Sequence, residues 1–530
     1  MSYMLSDVMG SDHGSTGSVR NLNTMLAPHK HVPALVLLSL IIILGTALRL
    51  YDLGTESYWI DEIVTVHTAQ QGLEQSLRLG GLDRPPTYFL IAHFWLQMFG
   101  PSEGATRLLS ALFGIASIPL IFVVARELFG KRIGLLSAFF MAVSEFQIYY
   151  SQDTRFYSLF GLLTLVSFFL YIRALRSGKI HYFALYLVAS ILLVNSHAFG
   201  VFVLAAQNLY FFLRWNSYKR VRLAWFLCQT LILLAIAPGL LAIVWTAMRT
   251  KGLAAGKTPV ADPSLRTALH SIYWYMFPIR RERAWSMVVA NYIAGTILLI
   301  IGILVFAGWK GKEAWLTSLK ELGPAFRSLS SRANELLLAG CWLVCPIVLA
   351  VVVSKLLGTM YDRYTISAAP AFYLLLAVGI STVRKVVPEV VSLGVLVILI
   401  APGLRNYYVA DVKEQWREAA AYVAENAEVG DVIVFAPDQQ GWQQKSFDWY
   451  YGGDLPGCDV ALLQKDNAEL ADDVSRCTLG RERFWLIARH FPGGVRFKEF
   501  YLNSRDANIR LLKQHEFTGI SVYLFELPRS

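Results

Sequence analysis

The chain is poor in charge and in cysteine, and it has no glycine-rich loop of the kind that cradles a nucleotide phosphate. Only 16% of its 530 residues are Asp, Glu, Lys or Arg, against about a quarter in a water-soluble protein. A soluble globular enzyme of this length is thereby excluded. Five cysteines are too few for a disulfide-built scaffold. Cys228, Cys341 and Cys345 fall inside apolar runs, where they read as small hydrophobes. Cys458 and Cys477 lie in a polar stretch and can pair if it faces an oxidising compartment. Without a phosphate-cradling loop, no nucleotide is expected. There is also no internal repeat of the kind that many transporters carry.

Long apolar runs are abundant: hydrophobic residues make up 55% of the chain, and the runs recur from Val32 to Leu404 and then stop. Residues 1–31 are polar and aperiodic and read as a disordered cytoplasmic tail. They are too long and too polar for a cleaved leader, so the first span, Val32 to Leu50, reads as an uncleaved anchor. Further spans are expected at about Ala105–Ala125, Ile133–Ile148, Phe156–Ile172, two over His181–Leu213, Leu223–Trp245, one ending at Phe306, Glu335–Ser354, Thr365–Val383 and Val387–Leu404. The sum is a polytopic α-helical membrane protein of about 11 spans. The run Thr87–Phe99 is only about 13 residues, short of the roughly 20 that a bilayer core needs, and reads as an interfacial or dipping helix. Residues 406–530 mix a helical stretch (Lys413–Asn426) with short apolar runs (Asp431–Phe435, Phe484–Ala488, Val522–Phe525). That pattern predicts a small soluble α/β domain.

The net charge of +10 does not call for nucleic acid. If Thr87–Phe99 does not cross, the basic short loops (126–132, 173–179, 214–222, 309–332, 384–385) all fall on the side of the N-terminus, which is then the cytoplasm. The first loop (51–104), the turns near 149–155 and 355–364, and residues 406–530 fall together on the extracytoplasmic side. One loop on that side disobeys: from Arg249 to Arg283 there are seven Lys or Arg residues. Either it is a neutral consequence of a long loop or it is an anion-binding surface.

Four groups of ionisable residues end up on that same face: Asp61 with Glu62, Asp83 with Arg84, Asp153 with Arg155 and Tyr157, and Lys355 with Asp362, Arg363 and Tyr364. Any one alone reads as an interfacial ion pair or a snorkelling arginine. Four at span ends on one side predict a shared site. A lipid-linked sugar phosphate suits such a site, because its carrier stays in the bilayer and presents the reacting carbon at the interface. Arg or Lys would hold the phosphate, and a carboxylate, Asp61, would take the acceptor's proton. Glu62 would orient the acceptor or share a divalent cation with Asp61. The competing class, a transporter or flippase of a lipid-linked substrate, would place its acids in mid-span. Here they crowd at span ends. Lone His93 and His197 read as packing or hydrogen-bonded residues.

The motifs Trp59-Ile60-Asp61-Glu62, Asp83-Arg84-Pro85-Pro86, Arg107-Leu108-Leu109-Ser110-Ala111-Leu112-Phe113-Gly114 and Tyr150-Ser151-Gln152-Asp153-Thr154-Arg155-Phe156-Tyr157 resemble the GT-C membrane glycosyltransferases of family 39. That family includes protein O-mannosyltransferases and lipid A aminoarabinose transferases. The likeness covers about Val32–Tyr157 and returns at Arg363-Tyr364 and at Trp416-Arg417-Glu418-Ala419-Ala420. It implies the GT-C fold over 32–405, a polyprenyl-phosphate sugar donor and a catalytic acid at Asp61. It also implies a phosphate-side cation at Arg84 after Asp83. Asp153 stands where many relatives have Glu. The absence of a large insertion between the spans points to a bacterial, inner-membrane member. Asp61, Glu62 and Asp153 are thus the expected catalytic acids. Asp83, Arg84, Arg107, Arg155, Tyr157, Lys355, Arg363 and Tyr364 are the expected substrate-binding residues. The partners are membrane lipids, the lipid-linked donor and a lipid, glycan or protein acceptor.

Overall fold

The structure, a computed structural model, describes residues 33–77, 85–249, 264–276, 332–357, 361–383, 389–436, 441–460, 474–490 and 509–527. The first helices in chain order are α1 (Ala34–Leu50), α2 (Ile60–Gln70), α3 (Leu73–Leu77), α4 (Pro86–Phe99), α5 (Glu103–Phe129), α6 (Lys131–Val143), α7 (Glu145–Ser151) and α8 (Tyr157–Ser177). Among the described residues six helices are long and apolar enough to cross a bilayer: Glu103–Phe129, Tyr157–Ser177, Trp215–Ala242, Ala333–Lys355, Asp362–Ser381 and Val390–Val409. Shorter apolar helices cover Ala34–Leu50, Ile180–Ser196 and Gly200–Leu213. The chain is a helical membrane protein. The span expected to end at Phe306 lies outside the described residues, as does most of the basic loop between Arg249 and Arg283.

The span expected over Ile133–Ile148 is not one straight helix. It is two helices, α6 and α7, bent by 60° at Ser144. No proline or glycine marks the break. Its cause is a set of distant partners for the groups a helix end leaves unpaired. Arg49 of α1, fully buried, donates to the carbonyls of Met141 (2.9 Å) and Ala142 (3.0 Å) at the end of α6. A cation suits that negative helix end. The Ser144 hydroxyl accepts the Gln147 N–H at 3.3 Å and restarts the chain as α7. Gly114 of α5 lets this junction close, since a Cβ there would stand 2.1 Å from Ser151 Oγ and 3.2 Å from Arg49 Nε.

Between α1 and α5, helices α2–α4 lie beside the bundle. On α4, Tyr88, Phe89 and Ala92 are buried while Phe94 and Met98 are exposed. The helix therefore presents apolar surface on two sides.

The C-terminal residues form a five-stranded mixed sheet of β1 (Val432–Phe435), β2 (Gly457–Asp459), β3 (Arg483–Arg489), β4 (Arg510–Phe517) and β5 (Ile520–Glu526), in the order β2-β1-β3-β5-β4. β1 pairs in parallel with β2 and β3, and β5 pairs antiparallel to β3 and β4. The central strands are buried on both faces, which gives the continuous apolar runs seen in the sequence. Val432, Val434, Phe484 and Leu486 face one core. Ile433, Phe435, Trp485 and Ile487 face the other, which is closed by Trp416, Ala419, Ala420 and Val423 of the helix Trp416–Asn426. That helix was expected to begin at Lys413. Residues 411–415 instead run irregularly between bundle and sheet. Cys458 and Cys477 are joined by a disulfide, with Cα atoms 5.9 Å apart.

Candidate active site

The site forms where α2, the 151–157 turn, the Asp362–Ala368 turn and the connector 411–415 meet. Glu62, the third residue of α2, is fully buried. Arg107 of α5 grips it with two bonds, Nε to Oε1 at 2.9 Å and Nη2 to Oε2 at 2.8 Å. This is the planar fork that suits a carboxylate. Glu62 Oε1 also accepts the Thr154 N–H and the Lys413 ammonium, each at 2.8 Å. Burial alone would raise its pKa; Arg107 and Lys413 outweigh that and hold it at about 2. Glu62 is therefore a buried anion that locks α2 to α5 and to the 151–157 turn, closed to any substrate. Asp61 and Glu62 do not fit a shared divalent ion, because both Glu62 oxygens are already spent on cations and an N–H.

Asp153 is also fully buried. One oxygen accepts the Trp59 indole N–H at 2.8 Å, with the Lys413 ammonium 3.7 Å away. Its other oxygen, Oδ2, has no hydrogen-bond partner among the described residues. Burial first, and then the negative charge of Glu62, push its carboxyl up to about 6 against the pull of Lys413.

Asp61 differs from both acids. Its side chain is 27% exposed, and among the described residues the cation it pairs with is Arg363, at 3.7 Å. Its backbone is held firmly, with its carbonyl accepting Arg155 Nη1 at 3.2 Å and Thr65 Oγ1 at 2.9 Å. Arg363 stands at the foot of a membrane-crossing helix among the rings of Trp59, Tyr157 and Tyr361, with centroids 6.0, 5.8 and 4.1 Å from its guanidinium carbon. Such rings favour a cation. The preceding residue, Asp362, accepts Ser271 Oγ at 2.7 Å and faces His270 at 3.4 Å, which ties this turn to the helix Leu265–Trp274.

The structure thus brings together Asp61, Glu62, Arg107, Asp153, Arg155, Tyr157 and Arg363. Tyr364 packs beside them, its ring 5.4 Å from Tyr361 and 4.8 Å from Phe199. Lys355 is exposed and, among the described residues, has no hydrogen bond or ion pair to the group. Asp83 and Arg84 lie outside the described residues. His93 is a packing residue as expected: one ring nitrogen meets the Ala69 carbonyl at 2.7 Å and the other meets Gln97 at 3.0 Å. His197 stacks on Phe160 with centroids 4.8 Å apart.

Sequence reasoning missed the contribution of the C-terminal residues. Lys413, buried, enters from the connector, Glu414 follows it, and Arg489 lies at the end of β3. No periodicity or motif marks an isolated cation in a polar stretch, and the helix expected from Lys413 hides the irregular connector that carries it. A second cluster, His490 with Ser521 at 2.6 Å and Glu516 at 3.1 Å, uses one ring nitrogen, Nε2, for both partners. A nucleophile relay needs the acid on the other nitrogen, so this cluster has the geometry of a clamp on the sheet.

Residues 83–245 match the family model described as dolichyl-phosphate-mannose-protein mannosyltransferase. No curated protein sequence matches the chain. Among solved structures, it is similar to ArnT from Cupriavidus metallidurans in the apo state, with TM-score 0.50 and 13% identity over 92% of this chain and 97% of that one. The same protein bound to undecaprenyl phosphate gives TM-score 0.51 at 12% identity, with the same coverage. The oligosaccharyltransferase of Archaeoglobus fulgidus gives TM-score 0.53 at 11% identity, over 87% of this chain and 70% of that one. At these identities the likeness to solved structures establishes the fold. That fold is the one shared by the GT-C membrane glycosyltransferases, and the family match over 83–245 falls within the same helical bundle.

Proposed function

We propose that the chain transfers a sugar from a polyprenyl-phosphate carrier to an acceptor hydroxyl, on the extracytoplasmic face of a bacterial inner membrane, with Asp61 as general base. One observation carries this reading: of the three clustered acids, Asp61 alone is open, and it sits beside a cation at the start of a membrane-crossing helix. In the proposed reaction the acceptor oxygen attacks the anomeric carbon as its proton passes to the Asp61 carboxylate. The bond from that carbon to the phosphate oxygen breaks, and polyprenyl phosphate leaves. A single displacement of this kind inverts the anomeric centre.

Arg363 would bind the phosphate and hold the charge that grows on it as it leaves. Burial of Glu62 and Asp153 keeps those acids from the acceptor and assigns them to holding Trp59 and α2. The likeness to a protein that binds undecaprenyl phosphate supports a carrier of that type. In full, the reading is a GT-C bundle of about 11 spans over residues 32–405, with residues 406–530 as an extracytoplasmic α/β domain. The acceptor is a lipid, glycan or protein.

The test is to incubate purified protein in detergent with radiolabelled polyprenyl-phosphate sugars and membrane extract, and to follow label leaving the carrier. Absence of transfer from every polyprenyl-phosphate donor in a broad panel would sink the reading. In the same assay Arg363→Ala is expected to raise the apparent donor KM by about tenfold, the loss of roughly one charge-assisted hydrogen bond. A KM unchanged from wild type would remove Arg363 from the phosphate.

A further inference from the structure

We infer that Glu414, held by Arg489, is a positioning residue for the proposed base: the C-terminal residues cap the helix that carries Asp61. This rests on the reading of Asp61 given above.

Asp61 is the second residue of α2, and the first N–H groups of a helix have no partner within it. The residue before the helix, Trp59, supplies no side-chain cap. Glu62 Oε2 reaches back only to the Trp59 N–H, at 3.4 Å; the Ile60 N–H is taken from 354 residues away, where Glu414 Oε2 accepts it at 3.2 Å. An anion is the favoured partner for that positive helix end. The same oxygen accepts the Trp416 indole N–H at 2.9 Å, and the other oxygen is paired with Arg489 Nε. Arg489 in turn lies within electrostatic reach of Asp61 and Tyr361.

The connector is built to hold Glu414 in that place. Ser57 donates to the Glu414 carbonyl at 2.7 Å. Gln415 is gripped by the β4–β5 turn, its N–H reaching the Thr518 carbonyl at 3.1 Å and its side-chain oxygen accepting the Thr518 N–H at 2.7 Å. Gly519, in the same turn with φ +76°, lies against Glu414: a Cβ there would stand 2.8 Å from Glu414 Cγ. Gly519 is thus required both by its backbone and by the approach of that side chain. Around the join, Tyr450 accepts the Tyr58 N–H at 2.7 Å and donates to Glu103 at 2.8 Å, and Arg417 donates to the Thr55 carbonyl at 2.9 Å. The first turn of α2 is therefore fixed from the C-terminal side. Arg155 and Arg363 meet Asp61 from the bundle side.

Such a cap acts on the geometry of the base and leaves donor binding alone. Glu414→Ala is expected to lower kcat by about 10- to 100-fold, the cost of a misplaced catalytic group, with donor KM within about twofold of wild type. Glu414→Gln keeps an oxygen for the Ile60 N–H and loses the pairing with Arg489, so its kcat should fall between the two. The exchange Glu414→Arg with Arg489→Glu keeps an ion pair but offers a cation to the helix N-terminus, and kcat should stay low.

All variants are measured in the full-length protein in detergent, with size exclusion and thermal melting as controls, and with Asp61→Asn alongside. Wild-type kcat in folded Glu414→Ala overturns the inference, as does full recovery of kcat in the exchange. A loss expressed only in donor KM also overturns it. Retained activity in Asp61→Asn would instead remove the base reading, and the two failures are read from separate lanes of one experiment.

Discussion

Asp61→Asn is expected to lower the rate of sugar transfer by about 10²- to 10⁴-fold, the range a positioned proton acceptor contributes, with no loss of folded protein. The amide fills the same space and keeps an oxygen, but it cannot take the acceptor's proton at neutral pH. The fold should tolerate the change because the Asp61 side chain is partly exposed and its cation stands off at 3.7 Å. The backbone bonds to Arg155 and Thr65 do not involve the substituted group. Initial rates with a radiolabelled polyprenyl-phosphate sugar, at saturating donor, give the answer, and full activity in Asp61→Asn would remove it as the base. Glu62→Gln is the contrasting case. It leaves Arg107 and Lys413 buried beside a neutral amide, so its loss should appear as reduced yield and melting temperature, before any kinetic measurement.

Much of this arrangement is legible in the sequence where the physics is local. The apolar runs of α5, α8 and the helix Ala333–Leu357 are long enough to be read as spans, and acids beside aromatic residues at their ends mark one face of the bundle. The strands β1, β3 and β5 announce themselves by β-branched and aromatic runs. What was not legible depends on partners far away in the chain. The break at Ser144 has no local breaker residue, and it exists because Arg49 satisfies the carbonyls of α6. The strand β4 has every residue but Phe517 exposed, so it shows no inward-outward alternation and is held by its backbone ladder to β5. The roles of Glu62 and Asp61 look identical in sequence, as adjacent acids on one helix. Only the packing of Arg107 and Lys413 separates them, by burying one and leaving the other beside open space.

Lys413 is the residue whose loss should cost the most stability. Its ammonium, 2% exposed, meets Glu62 at 2.8 Å, the Gln152 carbonyl at 2.8 Å and Asp153 at 3.7 Å. Two buried carboxylates and the Arg107 guanidinium share this volume, so Lys413 brings the local charge close to balance. Lys413→Met keeps most of the side-chain volume and removes the charge. Breaking a buried pair from one side costs about 3–5 kcal/mol, which should appear as a large fall in melting temperature and an earlier loss of the contact between connector and bundle. The sign of the pH dependence identifies the cause. In the wild type, the Glu62 carboxyl is held at about 2, so its contribution is present above the unfolded value and lost only as pH falls towards 2. Asp153, already pushed up to about 6 with Lys413 in place, gives the wild type a smaller gain as pH falls. Without Lys413, Glu62 and Asp153 repel each other with one cation fewer, and the pair should hold its proton to still higher pH. The folded state then takes up a proton that the unfolded chain does not, and stability rises as pH falls. Lys413→Met should therefore be least stable at about pH 8 and recover part of its loss near pH 5, where the wild type gains less. Equal destabilisation of the variant at both pH values would mean that Lys413 acts by packing alone, and the electrostatic account of this junction would fall.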